Sequence, residues 1–340
     1  MVVKGLWRPQ HATGVQLRAD DFVVIVVDTY SYFVNASMDT IASPLETIWS
    51  ARMHAMRRDR SRPPDGSIII PVNAQSDLER VWVVINDLLA YHGRHTFEII
   101  VMVNNYPAEA PPSLAAFEHA GIRVVSRPDV RRPGIRVAVT ARVHGAQVAA
   151  SRLTIHFDAD CRVPDPTTLL DWYVQQFAAG ARAAYTPVNF CDLNNDSATQ
   201  ARVVIHHLTR WFKRQVLGIP TIRGSNFAID RDLFIELFDA GYLPADFSIG
   251  PVLRARRMQV AYGNAPRLAV LTSGRYFERG WRELARYLLY RLRYNLRMLR
   301  VRAGMANPDD SQANTDRPYR IYRSKGSGSQ DPSMKERQAP

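Results

Sequence analysis

Cysteine is almost missing from this chain of 340 residues, with Cys161 and Cys191 as the only two. Two thiols cannot build a disulfide framework, nor by themselves close a structural zinc site, which takes four ligands. A reduced, cytoplasmic setting is the simplest expectation. Long apolar runs are missing as well. The most hydrophobic early stretch, residues 22–36, is interrupted by Asp28 and is too short to cross a bilayer. Residues 1–10 hold basic side chains but no apolar core, so no signal peptide is expected. The third shortage is of acid. Against 44 Lys and Arg stand 32 Asp and Glu, a formal net charge of +12. That excess suits an anionic partner, whether nucleic acid, anionic lipid or a phosphorylated ligand. More than half of it is local: from Arg275 to Arg302 nine Arg meet only Glu278 and Glu283.

What is present reads as a globular α/β protein, 46% hydrophobic and 22% charged. Residues 1–66 form an N-terminal extension ending in the basic, proline-containing linker Arg57–Gly66. Residues 67–282 form the main domain, 283–303 a basic amphipathic helix, and 304–340 a polar, disordered tail. Within the main domain strand and helix patterns alternate, which predicts a mostly parallel, Rossmann-like sheet with helices on both faces. Ser67–Val72, Phe97–Val103 and Leu153–Phe157 are buried strands. A helix is expected from Ser76, capped by a Ser76/Glu79 box, with Leu78, Val81, Trp82, Ile85, Leu88 and Leu89 on its apolar face. A second is expected from about Ile135 to Ala150, and a third begins at Asp165 with Pro166 in its first turn.

Ligands gather at the carboxyl ends of strands in such sheets. Asn73, Asn104, Asn105, Asp158 and Asp160 all fall there. Two carboxylates spaced i, i+2 at a strand end can face one hard divalent cation together with a diphosphate. Asp-x-Asp alone also occurs as a simple turn cap, and it is the position after an apolar strand that favours a metal.

Residues 67 to about 282 resemble the inverting glycosyltransferase family 2, whose fold is GT-A. Five pieces carry the resemblance in order: Ile68–Asn73, Glu98–Asn105, Ala141–Ala146 ahead of Phe157–Asp160, Gly224–Phe234, and Asp246–Gly250. It implies a non-processive enzyme that moves a sugar with inversion from a nucleotide-diphosphate donor to an acceptor hydroxyl on a glycan or lipid-linked molecule. Asp246 would be the catalytic base, and Asp158 and Asp160 the ligands of Mn2+ or Mg2+. Pro71, Val72, Asn73, Asn104, Asn105, Arg142, Asp158 and Arg275 would contact the nucleotide-sugar, and Gly224, Ser225 and Asn226 would line the acceptor side. Taken alone, Arg142 reads as a solvated helical residue, Arg275 as a surface loop and Asp246 as an exposed turn acid.

The chain departs from the family pattern in places. Asn104-Asn105 stands where Asp-Asp is common, which leaves the nucleobase open because an amide both donates and accepts. Ala245 replaces the Glu before the base, and no Gln-x-x-Arg-Trp motif follows. Two other functions are weighed. A sugar-phosphate nucleotidylyltransferase needs a Gly-rich loop after the first strand, and Asn73–Asp77 contains no glycine. A basic nucleic-acid-binding protein accounts for the Arg, but no such module is recognisable and the charge is not spread over the fold. Trp281, Leu284, Leu288, Leu292, Leu296 and Leu299 recur at helical spacing. Two readings stay open for that stripe: a helix docked on its own domain, or an anchor on anionic lipid at the inner membrane face. The pair His206-His207 reads as packing or surface rather than as metal ligands.

Overall fold

The computed structural model describes residues 52–53, 56, 62–194, 196–274, 277–278 and 280–302. Most of the expected N-terminal extension, the expected tail at 304–340 and Arg275 lie outside the described residues. The elements follow in the order β1 (Gly66–Asn73), α1 (Val81–Leu89), β2 (Phe97–Asn104), α2 (Ala115–His119), β3 (Arg123–Ser126), α3 (Val137–Val148), β4 (Leu153–Phe157) and α4 (Pro166–Ala178). There follow β5 (Ala183–Tyr185), β6 (Val188–Phe190), α5 (Ser197–Gln215), β7 (Asn226–Asp230), α6 (Arg231–Asp239), α7 (Ile249–Ala255), β8 (Val260–Tyr262), β9 (Val270–Thr272) and α8 (Trp281–Arg302).

Seven strands form one sheet in the order β3-β2-β1-β4-β7-β5-β8, and β6 and β9 pair separately. Every pairing in the large sheet is parallel except those of β7, which runs antiparallel to both β4 and β5. The α/β architecture with a mostly parallel sheet is the one the alternating pattern predicts. β1 and β2 are buried almost from end to end, as expected of parallel strands covered on both faces. Ile68, Ile69 and Ile70 have no exposed surface, each contributing about 1.5–3 kcal/mol of apolar burial. One core cluster joins Ile69, Val143, Phe227, Leu233 and Phe234, locking α3 and α6 onto the sheet.

The connection from β1 leads outward to β2 and β3, whereas β4 lies on the other side of β1. Such a switch point opens a crevice at the strand carboxyl ends. Here proline widens it. The β1–β4 ladder stops at Ile69↔His156, two residues before Pro71, which has no N–H to offer. β1 continues against β2 alone as far as Asn73↔Asn104. Because β7 is antiparallel, its first residue, Asn226, lies opposite Phe157 at this same edge. A segment 68 residues downstream of Asp158 thereby arrives beside it.

Three local readings change. The Ser76/Glu79 box does not form. The Asn73 carbonyl accepts from the amides of Ser76 and Asp77, and its side chain accepts from Gln75, so residues 74–80 are turns and the helix begins at Val81. The linker ends before Asp65, whose amide and carboxylate are already tied to Thr96. The leucine stripe of α8 does not dock as a whole: Leu284 is buried against Phe277, but Trp281, Leu292 and Leu296 are about half exposed, and it is Arg291 that turns inward. α5 is inverted in the same manner. Arg202, His206, Arg210 and Lys213 are buried, while Val204, Leu208, Trp211, Phe212 and Val216 face outward.

Candidate active site

Arg142 organises the strand-end crevice. It sits in the middle of α3 with no exposed surface. Its Nη1 donates to Asp246 Oδ1 at 2.9 Å, and its Nη2 donates to Asp158 Oδ1 and to the Gly224 carbonyl, the latter at 2.9 Å. One guanidinium thus joins residues from α3, the end of β4, the loop before β7 and the 3-10 turn Asp246–Ser248. A fully buried cation needs charge and hydrogen-bond partners, and a planar fork can serve two carboxylates at once. The solvated position that its residue type suggests is therefore wrong: Arg142 is buried and holds the two acids.

Those acids differ in surroundings. Asp158 is 35% exposed, Asp246 only 16%. Burial pushes the Asp246 carboxyl above its ordinary range; Arg142 pulls it down, and the Asp158 charge pushes it up again. The Arg142 charge is in turn held firmly by Asp246 and Asp158, which outweigh its burial.

Two glycines are required by close approach. A Cβ on Gly224 would lie 2.7 Å from Asp246 Oδ2 and 2.9 Å from Arg142 Nη2. A Cβ on Gly250 would lie 1.9 Å from the Pro220 carbonyl oxygen, so only glycine lets α7 lie against the segment leading to Gly224. The same geometry explains Ser248, whose hydroxyl donates to the Ala245 carbonyl and closes the turn that begins at Asp246.

Asp158, Asp160 and the Cys161 sulfur have ligand atoms within 4.8 Å of one another. Burial and the two neighbouring acids hold the Cys161 thiol well above its ordinary pKa, so it stays protonated, and its Sγ–H points to the Ser225 carbonyl at 3.4 Å. The donors offered to a cation are then carboxylate oxygens, which fit a hard ion such as Mg2+ or Mn2+ and leave positions for phosphate and water. The loop that carries them is pinned. Arg162 exchanges backbone hydrogen bonds with Leu271, Asp87 accepts from the Arg162 side chain and the Val163 amide, and the Thr272 hydroxyl reaches Asp160 at 3.4 Å.

The remaining expected contacts divide. Asn73 and Asn105 meet at the edge, with Asn105 Nδ2 donating to Asn73 Oδ1 at 2.9 Å. Asn105 has φ of 63°, a left-handed conformation that asparagine tolerates better than β-branched or bulky residues do. Pro71 and Val72 are buried, and Asn104 spends its amide on the Val72 carbonyl, closing β1 to β2. On the acceptor side Ser225 and Asn226 turn inward. Asn226 accepts from the Tyr173 hydroxyl at 2.6 Å and donates to Thr186, so its side chain secures β7. Sequence reasoning missed Asp87 and Thr272, which hold the metal loop from far along the chain and carry no motif. It also missed Arg210 and Lys213, which carry no motif, and Arg291, which the basic face of the expected amphipathic helix gave to solvent.

No protein-family model matches the sequence, and no curated protein is similar enough to it to count as a relative. Solved structures of similar chain path include glucosyl-3-phosphoglycerate synthase from Mycobacterium tuberculosis in complex with Mn2+, UDP and phosphoglyceric acid, 18% identical over 76% of this chain and 84% of that one, TM-score 0.44. They also include a mannosyltransferase from Pyrobaculum calidifontis in complex with GDP-Man and Mn2+, 14% identical over 74% and 68%, TM-score 0.43. A third is mannosyl-3-phosphoglycerate synthase from Rubrobacter xylanophilus, 18% identical over 76% and 79%, TM-score 0.43. Likeness at this level says nothing of substrate or mechanism.

Proposed function

We propose that this chain is a metal-dependent glycosyltransferase of the GT-A type that moves a sugar from a nucleoside-diphosphate donor to an acceptor hydroxyl with inversion, one sugar at a time. The observation that carries the reading is the single buried guanidinium of Arg142 shared by Asp158 and Asp246. Inverting transfer needs two acids with different tasks, one on the diphosphate side and one on the acceptor side, held apart at fixed spacing. Arg142 supplies that spacing.

In this reading Asp246 takes the proton of the acceptor hydroxyl as its oxygen attacks the anomeric carbon. The bond to the diphosphate breaks on the opposite face and its electron pair leaves with the phosphate, which inverts the centre. Burial makes Asp246 a stronger base than an exposed carboxylate. Asp158 and Asp160 would hold Mn2+ or Mg2+, which would neutralise charge on the departing diphosphate. Asn73 and Asn105, at the ends of β1 and β2, would meet the nucleoside, and the acceptor would approach Asp246 beside Gly224. Arg275 is proposed for the phosphates from the resemblance alone.

The test is donor turnover with and without manganese or magnesium. Asp160→Ala should abolish metal-stimulated hydrolysis of the accepted nucleotide sugar while the circular dichroism spectrum stays native. Near-normal turnover with full metal dependence would remove the pair as ligands. Titration with nucleoside diphosphates against oligonucleotides at physiological salt separates this reading from nucleic-acid binding.

A membrane surface is the proposed route to a lipid-linked acceptor. No helix among the described residues is long and apolar enough to cross a membrane. Yet Trp211 and Phe212 on α5 and Trp281, Leu289, Leu292 and Leu296 on α8 are exposed, and Arg282, Arg286 and Arg293 are exposed beside them. Aromatic and leucine side chains with arginine are what an anionic interface takes up, at about 1 kcal/mol for each nearby basic residue. The protein should pellet with anionic vesicles, not with neutral ones, and release as salt rises. Changing Arg286, Arg293, Arg297 and Arg300 to Gln should remove that binding without unfolding the chain. Equal binding to neutral vesicles would assign the surface to something other than charge.

A further inference from the structure

The inward face of α5 carries more positive charge than folding alone explains. His206, Arg210 and Lys213 recur at i, i+4 and i+7 and are all buried, and Arg291 of α8 is buried with them. Lys213 is 8% exposed, and its ammonium has no hydrogen-bond partner among the described residues. Its charged neighbours are Arg291 and Arg210, cations like itself. Taking an unpaired ammonium out of water costs several kcal/mol, more with like charges beside it. Burial, then Arg291 and Arg210, hold the Lys213 pKa down to about 6. Methionine or leucine would fill this space without that penalty, so the position asks for a ligand of opposite charge.

The cluster adjoins the acid proposed as the base. Arg291 lies over the ring of Phe247, 5.2 Å from its centre, and Phe247 directly follows Asp246. Arg210 donates to the Thr221 carbonyl at 3.1 Å, three residues before the Gly224 carbonyl that holds Arg142. Between them Arg223 donates to His206 Nε2 at 3.0 Å, which keeps that imidazole neutral and an acceptor. The segment 221–224 therefore ties the cationic face to the Arg142–Asp246 pair. His207, half-buried on the same helix, is pushed down by burial and by Arg210 and Arg223. On the strand side, Tyr185 feels both Arg214 and Arg210.

We propose that Lys213, Arg210 and Arg291 form an internal site for a phosphate group carried by the acceptor, so that the enzyme's acceptor is a phosphorylated molecule whose hydroxyl is presented to Asp246. This rests on the glycosyltransferase reading given above. Arg210, Arg291 and a Lys213 amine that takes up a proton as the anion enters suit a tetrahedral dianion better than a single carboxylate, for which one arginine fork suffices. A small soluble monoester and a lipid headgroup reached from the exposed faces of α5 and α8 both carry such a phosphate, and the chemistry at the cluster is the same.

The experiment uses the full chain and inorganic phosphate, without metal, in a chloride buffer. Calorimetry should show saturable binding, and phosphate should raise the melting midpoint. Lys213→Met should weaken phosphate binding at least tenfold yet melt higher than the parent when phosphate is absent, because a buried amine without a hydrogen-bond partner is gone. Lys213→Arg should restore the affinity. A methionine variant that binds phosphate as well as the parent, or that melts lower without it, would overturn the site and leave Lys213 a structural residue. Displacement of bound phosphate by methyl phosphate, or instead by vesicles of phosphatidic acid, identifies the soluble or the lipid source; displacement by neither overturns the acceptor assignment. A nucleoside diphosphate with Mn2+ is titrated in parallel on the parent chain. Its failure to bind would sink the glycosyltransferase reading, and phosphate binding that survived would then mark an anion site with no acceptor.

Discussion

Asp246→Asn should lower kcat by about two to four orders of magnitude, while the affinity for the donor changes by less than about twofold. The substitution keeps shape, and the amide oxygen can still accept from Arg142 Nη1, so the two sides of the crevice stay in place. What it removes is the ability to take a proton. The pH profile of the parent sharpens the test. Asp246 must be ionised to act, and burial raises its pKa, so the rate should fall with acid at a pH above the ordinary carboxylate range. The Asn variant should lose that acid limb. A variant that fails to bind nucleotide but turns over normally would move Asp246 to the donor side.

Replacing Arg142 should have the largest effect on both activity and stability. Arg142→Met leaves two carboxylates facing each other across an apolar side chain, and breaking a buried pair in this way costs about 3–5 kcal/mol. Lysine should rescue poorly, because one ammonium cannot reproduce the two-armed contact with Asp158, Asp246 and the Gly224 carbonyl. The pH dependence follows from the sign of each influence. Arg142 lowers the Asp246 pKa, so its loss raises that pKa further. A carboxyl whose folded pKa lies above its unfolded value stabilises the protonated protein, and that contribution disappears as pH rises through the folded pKa. The Met variant should therefore melt lower as pH increases across that window, and its acid limb of activity should move to higher pH. A variant with the parent's melting midpoint and profile would show that the two acids hold themselves apart without the guanidinium.

The amino-acid sequence alone determined three strands, Ser67–Val72, Phe97–Val103 and Leu153–Phe157, and a mostly parallel sheet. Ile68–Val72 and Ile99–Val103 are apolar, largely β-branched runs that suit strands buried on both faces, and Leu153–Phe157 runs into two carboxylates that cannot continue a buried strand. Asp165 announced α4 because a side-chain oxygen before Pro166 can satisfy a free amide, as it does for Thr168. Those are local effects, written in the residues that show them. The site's second half was decided elsewhere. That Asn226 arrives beside Phe157 depends on β7 running antiparallel, a matter of sheet pairing that no short motif encodes. Arg142 gave the wrong impression because a helix pattern assigns charge to solvent, and only the packing of α3 against the crevice shows that this position faces two acids. α5 and α8 failed the same rule more completely. Their periodicity is real, but periodicity fixes only that two faces differ. Which of them turns inward is set by what lies opposite: α5 buries Arg202, Arg210 and Lys213 while Leu208 and Trp211 face out, and α8 buries Arg291 while Trp281, Leu292 and Leu296 are half exposed.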